Sequence, residues 1–350
     1  MPFVRSTYAP PFFLRGAHVQ TILGAVLPRG RNVRYERERL ELADGDFLDL
    51  DWSRVGGNRL VILTQGLESE ASDSIARGLT ASWNAAGWDA LAWNYRGCSG
   101  EPNRLPRFYH GADTTDLVTV IEHAAGSAHA PTRASLISTS GKNGHASVTL
   151  RDESSTCAYS EILLVGLSLG GNLVLRYLGE CGAHPKVRAA VAVSAPVDLA
   201  SSALKLDAHP RNRFYLRRLI KSLHAKVEQK APLFPEVFET DTLRSLGTFA
   251  TFDNRYTAPL HGFRNATEYW AQACVRPYLA SIQVPTLLLS SVDDPFLTAE
   301  SFPVVEASDN PNLFLEAPRN GGHLGFMDAR GSWLERRILS FLQRPGAADK

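Results

Sequence analysis

Hydrophobic and polar positions along the chain alternate between short apolar runs and stretches with helical spacing. Positions 34–42 and 47–52 alternate apolar with polar residues on either side of Asp44-Gly45, which predicts an antiparallel hairpin. Short apolar runs bounded by turn residues predict further, buried strands. These lie at 59–64, 90–95, 162–165, 188–194, 285–291 and 312–316. Helical spacing at 72–86, about 113–125 and 333–343 falls between or after these runs. Alternating strands and helices predict an α/β fold with a doubly wound, mostly parallel sheet, which binds ligands at the carboxyl ends of its strands.

Two stretches depart from this alternation. Residues 127–160 are rich in Ser, Thr, Ala and Gly where an α/β unit needs only a short connection, so we expect a surface insertion there. From about 197 to 282 the pattern turns helical, basic and aromatic, without buried-strand runs. We interpret 197–282 as a helical cap inserted after the sixth strand, with 1–196 and 283–350 forming the core. The cap's aromatic residues are expected to form mostly its own core, and some could line a pocket.

The motif Gly-Leu-Ser-Leu-Gly at 166–170 directly follows the apolar run 162–165 and precedes a helix-like stretch. This context predicts that Ser168 occupies the sharp strand-to-helix turn known as a nucleophile elbow. Glycines two residues before and after the serine suit that turn, because neighbouring backbone passes too close for a side chain. The N–H of Leu169, at the start of the helix, would point towards a developing oxyanion.

A search downstream of Ser168 for an acid and then a histidine gives one good solution. Asp293 and Asp294 stand just beyond a predicted strand, and His323 lies in a glycine-rich loop after the last strand. His323 is therefore the candidate general base, and one of the two aspartates would orient its ring. The sequence does not choose between Asp293 and Asp294. A second oxyanion donor is expected from Leu67 N–H, in the loop after the first central parallel strand.

Composition narrows the remaining possibilities. The 350 residues carry a formal net charge of +1 without long runs of either sign, which gives no indication of nucleic acid or an anionic membrane as an obligatory partner. The four scattered cysteines have no metal-like spacing and favour a reducing compartment. No apolar run approaches the length of a membrane span, so we expect a soluble, cytoplasmic protein. Neither a metal nor an organic cofactor is implied. The segment 10–14, Pro-Pro-Phe-Phe-Leu, could touch lipid, but packing on the protein's own surface is the favoured interpretation.

Several blocks together resemble α/β-hydrolase family 4, the YheT-like hydrolases, whose animal relatives are ABHD-type lipases. The matching blocks are 18–22 (His-Val-Gln-Thr-Ile), 94–104, Tyr109-His110-Gly111 with Asp113 and Asp116, 166–172, 251–263, 293–296 and 321–326. The resemblance implies ester hydrolysis by a Ser–Asp–His triad, carried by Ser168, Asp293 or Asp294, and His323. Two features depart from the family: Gln65-Gly66-Leu67 stands where it usually reads His-Gly-Leu, and 127–160 is longer than its usual connection.

These observations predict an α/β-hydrolase fold and a serine esterase that acts on short- to medium-chain acyl esters. A small-molecule or lipid ester is the expected substrate, and the oligomeric state is left open. Two alternatives remain. His323-x4-Asp328 matches a pattern of some acyltransferases, which would use the same nucleophile. A catalytically inactive binding protein on the same fold is the other.

Overall fold

The central feature of the fold is an eight-stranded sheet, seen in a computed structural model that describes residues 3–126 and 159–344. The predicted surface insertion at 127–160 lies almost wholly outside the described residues. The strands are β1 Glu36–Glu41, β2 Phe47–Ser53, β3 Arg59–Thr64, β4 Asp89–Trp93, β5 Glu161–Leu167, β6 Val187–Val193, β7 Thr286–Leu289 and β8 Leu313–Glu316. Their order across the sheet is β1-β2-β4-β3-β5-β6-β7-β8.

The pairing confirms the predicted hairpin and the mostly parallel sheet. β1 pairs with β2 and β2 with β4 in antiparallel fashion, whereas β4, β3, β5, β6, β7 and β8 are parallel neighbours. Leu60 and Ile62 of β3 pack into an apolar cluster on one face of the sheet, and Val61 and Leu63 into a second cluster on the other. Burial on both faces explains why these strands are continuous apolar runs.

Helices cover both faces of the sheet. The core helices are α1 Ala17–Val26, α2 Ser74–Ala85, α3 Thr115–Ala124, α4 Leu169–Arg176, α10 Val304–Asp309 and α11 Trp333–Gln343. A short two-stranded ribbon, β9 Met327–Asp328 and β10 Gly331–Ser332, precedes α11. Helix α1 was not predicted, because its polarity is inverted: it buries Gln20, Thr21 and Gly24 and exposes apolar residues.

A group of helices lies between β6 and β7, in the stretch predicted as a cap. These are α5 Leu199–Ala208, α6 Arg213–Lys230, α7 Phe249–Phe252, α8 Ala258–Leu260 and α9 Ala266–Gln272. They share an apolar cluster of their own, centred on aromatic residues such as Phe238, Phe252 and Tyr256. The division of the chain into two domains at these boundaries stays a prediction. Among the described helices, none has both the length and the apolar character needed to cross a membrane.

Candidate active site

Ser168 lies at the turn between β5 and α4, at the carboxyl edge of the sheet. Its backbone has φ 51° and ψ −118°, a conformation that L-residues rarely adopt. The neighbouring strand holds it there, since Ser168 N–H donates to Val193 O at 2.8 Å. The carbonyl of Ser168 accepts from the N–H groups of Gly171 and Asn172 in the first turn of α4. Hydrogen bonds on both sides of Ser168 therefore hold its backbone in this strained conformation.

Close backbone packing explains the glycines on either side of Ser168. A Cβ on Gly166 would lie 2.3 Å from Gly170 O, and one on Gly170 would lie 2.3 Å from the carbonyl oxygens of Thr64 and Gln65. Both separations are far below van der Waals contact, and the atoms met are backbone atoms that cannot move aside. The same packing brings the start of α4 against the end of β3.

Ser168, His323 and Asp294 form a continuous hydrogen-bonded chain. Ser168 Oγ lies 2.9 Å from His323 Nε2, and His323 Nδ1 lies 2.9 Å from Asp294 Oδ2. Asp294 and His323 are both buried, with 2% and 8% of their surfaces exposed. A carboxylate beside Nδ1 favours the tautomer with a proton there, which leaves Nε2 free to accept the serine proton.

The two aspartates that the sequence could not separate make different contacts. Asp294 accepts the His323 ring N–H and, through Oδ1, the backbone N–H of Phe296 at 2.8 Å. Asp293 instead accepts the backbone N–H of Gly322 at 3.0 Å through Oδ1. Asp293 therefore holds the loop that carries His323, and of the two aspartates only Asp294 is hydrogen-bonded to the imidazole ring.

Helix α1 also positions the histidine loop. His323 N–H donates to Thr21 Oγ1 at 2.9 Å, and Met327 N–H donates to Gln20 Oε1 at 2.7 Å. A Cβ on Gly322 would lie 2.3 Å from Ala17 O, so the loop and the helix are in direct backbone contact. These contacts explain why α1 turns its polar residues inwards.

The two predicted oxyanion donors, Leu67 and Leu169, lie in segments that adjoin Ser168. Leu169 is the first residue of α4, so its N–H has no acceptor within the helix. Among the described residues, we find no acceptor for Leu67 N–H either. A Cβ on Gly66 would lie 3.5 Å from Ser168 Cβ, so the loop carrying Leu67 is in contact with the elbow. The side-chain amide nitrogen of Gln65 is buried there without a hydrogen-bond partner among the described residues.

Glu68, the residue after Leu67, links this loop to the cap. Its backbone has φ 58°, and its N–H donates to the hydroxyl of Tyr109 at 2.8 Å. Its carboxylate accepts from Tyr109 Oη and from Lys226 Nζ of α6 at Oε1, and from Ser222 Oγ of α6 at Oε2. Only 3% of the Glu68 side chain is exposed, so this is a buried ion pair held by further hydrogen bonds.

Lys226 has a second neighbour, the thiol of Cys98, with Nζ 2.8 Å from Sγ. Burial nevertheless raises the pKa of Cys98 to about 11, which keeps the sulfur protonated near neutral pH. The thiol therefore has no nucleophilic character comparable with that of a catalytic cysteine. No group of three or more His, Cys, Asp or Glu residues within 3–126 and 159–344 is arranged to hold a metal ion.

A cavity of about 440 Å³ opens onto Ser168 and His323. Its walls are mostly apolar and come from α1, the Leu67 loop and the cap. Several cap aromatics line it: Phe214, Tyr215, Phe249, Phe252, Tyr269 and Trp270. All of these except Phe214 also belong to the cap's apolar cluster. The same aromatic side chains therefore form the core of the cap and line the pocket, which were predicted as separate roles. A volume of this size is typical of small-molecule sites, which span about 300–1,000 Å³.

The pattern search missed the contacts made by α1 and by Glu68. Thr21 and Gln20 belong to the block at 18–22 that carried part of the family resemblance, which was the one available signal for their importance. Glu68 gave no signal, because its ion-pair partner Lys226 lies 158 residues away in the chain. Asp328, of the predicted His-x4-Asp pattern, accepts from Arg336 and from the Arg330 N–H, whereas the described partners of His323 are Thr21, Asp294 and Ser168.

Comparison with known proteins supports this assignment of the fold. Residues 158–330 match the model of the α/β-hydrolase fold family. The solved structure of the esterase Pf2001 from Pyrococcus furiosus superposes with a TM-score of 0.54 at 16% identity, covering 90% of this chain and 93% of that one. At that identity the likeness concerns the fold alone.

Sequence relatives extend over nearly the whole chain. The candidate esterase YheT of Escherichia coli K12 is 32% identical over 93% of this chain and 89% of its own length. Human phospholipase ABHD3 is 26% identical over 98% of this chain and 80% of its own length. The fold and these relatives agree with the resemblance carried by the sequence blocks. The protein therefore belongs to the YheT-like α/β-hydrolases and is a hydrolase of the esterase and lipase type.

Proposed function

We propose that the protein is a serine carboxylic-ester hydrolase for short- to medium-chain acyl esters. Ser168 attacks the ester carbonyl, His323 takes the hydroxyl proton and passes it to the leaving alcohol, and Asp294 stabilises the imidazolium. Water activated by His323 then releases the acid and restores the serine. The observation that carries this proposal is the chain of two 2.9 Å contacts joining Ser168, His323 and Asp294.

Stabilisation of the oxyanion is assigned to the N–H groups of Leu67 and Leu169. The proposal is supported by the contact between the Leu67 loop and the elbow, and by the position of Leu169 at a helix N-terminus. One such donor contributes about 3–4 kcal/mol to transition-state stabilisation in comparable sites. The mostly apolar walls of the cavity support an acyl chain as the group bound beside Ser168.

The cysteines bear on the compartment in which the protein works. The described cysteines Cys98, Cys181 and Cys274 are free thiols, which supports the predicted cytoplasmic, reducing environment. The absence of a required cofactor stays a prediction. Hydrolysis is favoured over acyl transfer, since the interactions of Asp328 give the His-x4-Asp spacing no role beside His323.

A series of p-nitrophenyl esters from acetate to palmitate tests this proposal. We expect Ser168→Ala to lower turnover by about 10³-fold or more, the scale of nucleophile deletions in serine hydrolases. Ser202→Ala is the matched control: it removes another hydroxyl that lines the cavity and donates to Asp198 O, and we expect turnover within about ten-fold of wild type. Comparable turnover by wild type and Ser168→Ala would contradict the proposal.

Two further measurements address the alternatives. Adding an alcohol acceptor and comparing released acid with transferred ester separates hydrolysis from acyl transfer. Labelling by a fluorophosphonate probe that disappears in Ser168→Ala separates an active enzyme from an inactive binding protein. We expect acid as the main product and labelling confined to Ser168.

A further inference from the structure

An exposed apolar surface surrounds one side of the cavity mouth. It consists of Phe12 and Phe13, just before α1, of Val19, Ile22 and Val26 on α1, and of Phe214 on α6; we call it the mouth surface. Phe12 and Phe13 are 81% and 64% exposed, so the predicted packing of this segment on the protein itself is wrong for both side chains. Aromatic side chains this exposed are unusual on a surface that faces only water.

The three segments that form the mouth surface are held together by direct contacts. His18 of α1 lies with Nδ1 3.0 Å from the hydroxyl of Tyr215, the residue next to Phe214, and the two rings stack. Gln20 Nε2 donates to Leu14 O at 2.6 Å, which fixes the Phe12–Phe13 turn against the start of α1. The exposed residues therefore sit on elements that are fixed relative to each other.

The mouth surface continues into the active-site cavity. Ile22, Val26 and Phe214 are exposed to solvent and also line the cavity that reaches Ser168. An apolar path thus runs from the outside of the protein to the nucleophile. Helix α1 directs its apolar residues towards this path because its polar residues, Gln20 and Thr21, are used inside to hold the histidine loop.

A group of cations borders the mouth surface. The exposed basic residues just before α6 and in its first half are Arg211, Arg213, Arg217, Arg218 and Lys221. Of the basic residues on α6, only Lys226 forms an ion pair with a described residue, leaving these positive charges available to a partner. Asp73, which lines the same cavity, interacts electrostatically with Arg218, so the charge of Arg218 is partly compensated.

We propose that the mouth surface docks onto an anionic lipid surface, so that an ester can pass from the lipid into the cavity without crossing water. An apolar patch with a cationic border is the combination that binds at the interface of an anionic bilayer or micelle. The patch adjoins the cavity mouth, and three of its residues also line the cavity. A protein docked there would cover the mouth, whereas a lipid surface would supply the ester to it. The purpose of this docking rests on the proposed function, but the docking itself does not require turnover.

Vesicle binding tests the proposal without catalysis. In a Ser168→Ala background, we expect co-sedimentation with vesicles of phosphatidylcholine plus phosphatidylglycerol, weakened by salt and weaker with phosphatidylcholine alone. Phe12→Ser with Phe13→Ser should reduce this binding by about ten-fold or more, because two phenyl rings no longer enter the lipid. Arg217→Glu with Lys221→Glu should reduce it by about 25-fold or more, at about five-fold for each cation removed.

Matched controls change similar residues elsewhere. Val304→Ser with Val305→Ser alters a pair of exposed apolar residues on α10, and Arg188→Glu alters an exposed cation on β6. Both should bind vesicles as the parent does. Equal binding by the mouth variants and the controls, or no binding by the parent, overturns the docking proposal. So does self-association or binding to another protein through Phe12 and Phe13 without vesicle binding.

Hydrolysis of p-nitrophenyl acetate separates this proposal from the proposed function. The acetate ester is soluble as a monomer, and Phe12, Phe13, Arg217 and Lys221 do not line the cavity. Mouth variants in the otherwise wild-type protein should therefore hydrolyse it at the normal rate. Normal hydrolysis without vesicle binding contradicts docking alone, whereas vesicle binding without hydrolysis by wild type contradicts the proposed function alone.

Discussion

Replacing Asp294 with asparagine should disable the proposed site while leaving the fold intact. The structure explains why so small a change is damaging. Asp294 Oδ1 accepts the backbone N–H of Phe296, and its Oδ2 faces His323 Nδ1. In the variant, the amide oxygen must keep the Phe296 N–H, because an amide NH₂ there would set donor against donor. The amide NH₂ is then directed at His323 Nδ1.

That orientation forces the wrong tautomer of the histidine. If Nδ1 has to accept a hydrogen bond from the amide, the ring proton moves to Nε2, which faces Ser168 Oγ at 2.9 Å. A protonated Nε2 cannot take the serine proton, and the negative charge that stabilises an imidazolium is also gone. The same substitution in a serine protease lowers kcat by about 10⁴-fold. We expect kcat to fall by about 10³- to 10⁴-fold here, which raises the activation barrier by about 4–5.5 kcal/mol.

Asp293→Asn provides the matched control, one residue away. Asp293 accepts the backbone N–H of Gly322 at 3.0 Å and the side-chain N–H of Asn320 at 3.3 Å, and neither donor belongs to the imidazole. The amide oxygen of an asparagine can keep the shorter of these bonds, so only the longer one is lost. We therefore expect kcat on p-nitrophenyl butyrate to fall by less than about ten-fold. Both variants should melt within a few degrees of wild type, because both keep the size of the side chain. Retention of a tenth or more of wild-type kcat by Asp294→Asn, or an equal loss in Asp293→Asn, would refute the assignment of the acid.

Two other expectations concern stability. A methyl group on Gly166 would meet backbone at 2.3 Å, so Gly166→Ala should lower the free energy of unfolding, measured in urea, by at least about 1–3 kcal/mol. A methyl group on Gly247 would enter open space, so Gly247→Ala should leave that free energy unchanged or raise it by up to about 1 kcal/mol. Asp253 is buried in the cap, and burial raises its pKa to about 6 from an ordinary 3.8. The folded protein therefore holds this proton to higher pH than the unfolded chain, so the contribution of Asp253 to stability is full below about pH 4 and is lost as the pH rises through 6. Relative to Asp253→Asn, wild type should lose up to about 3 kcal/mol between pH 4 and pH 7; a difference independent of pH would contradict this.

The sheet and the chemistry at its edge could be predicted from the sequence because both have local signatures. Continuous apolar runs such as 59–64 and 162–165 report burial on both faces, and the glycines around Ser168 report a turn with no room for side chains. The last helix, Trp333–Gln343, has the bounds predicted from its amphipathic spacing. These features depend on residues that are close together in the chain, so they can be recognised in a single sequence.

Other parts depend on contacts between distant segments and were not predictable. Helix α1 buries Gln20 and Thr21 because the histidine loop, some 300 residues later, needs their hydrogen bonds. The choice between Asp293 and Asp294 likewise depends on the direction of two side chains at the end of β7. Hydrophobic periodicity contains no information on either point.

The carboxylate of Glu68 connects the proposed oxyanion loop directly to helix α6 of the cap. Lys226 and Ser222 on α6 donate hydrogen bonds to the residue that directly follows Leu67, so an outward displacement of α6 would strain the position of the Leu67 N–H. A substrate too bulky for the space under α6 would bind by displacing this helix, and it would lose a hydrogen-bond donor at the reacting carbonyl. Discrimination between small and bulky substrates would then lower kcat for the bulky ones and leave KM nearly unchanged.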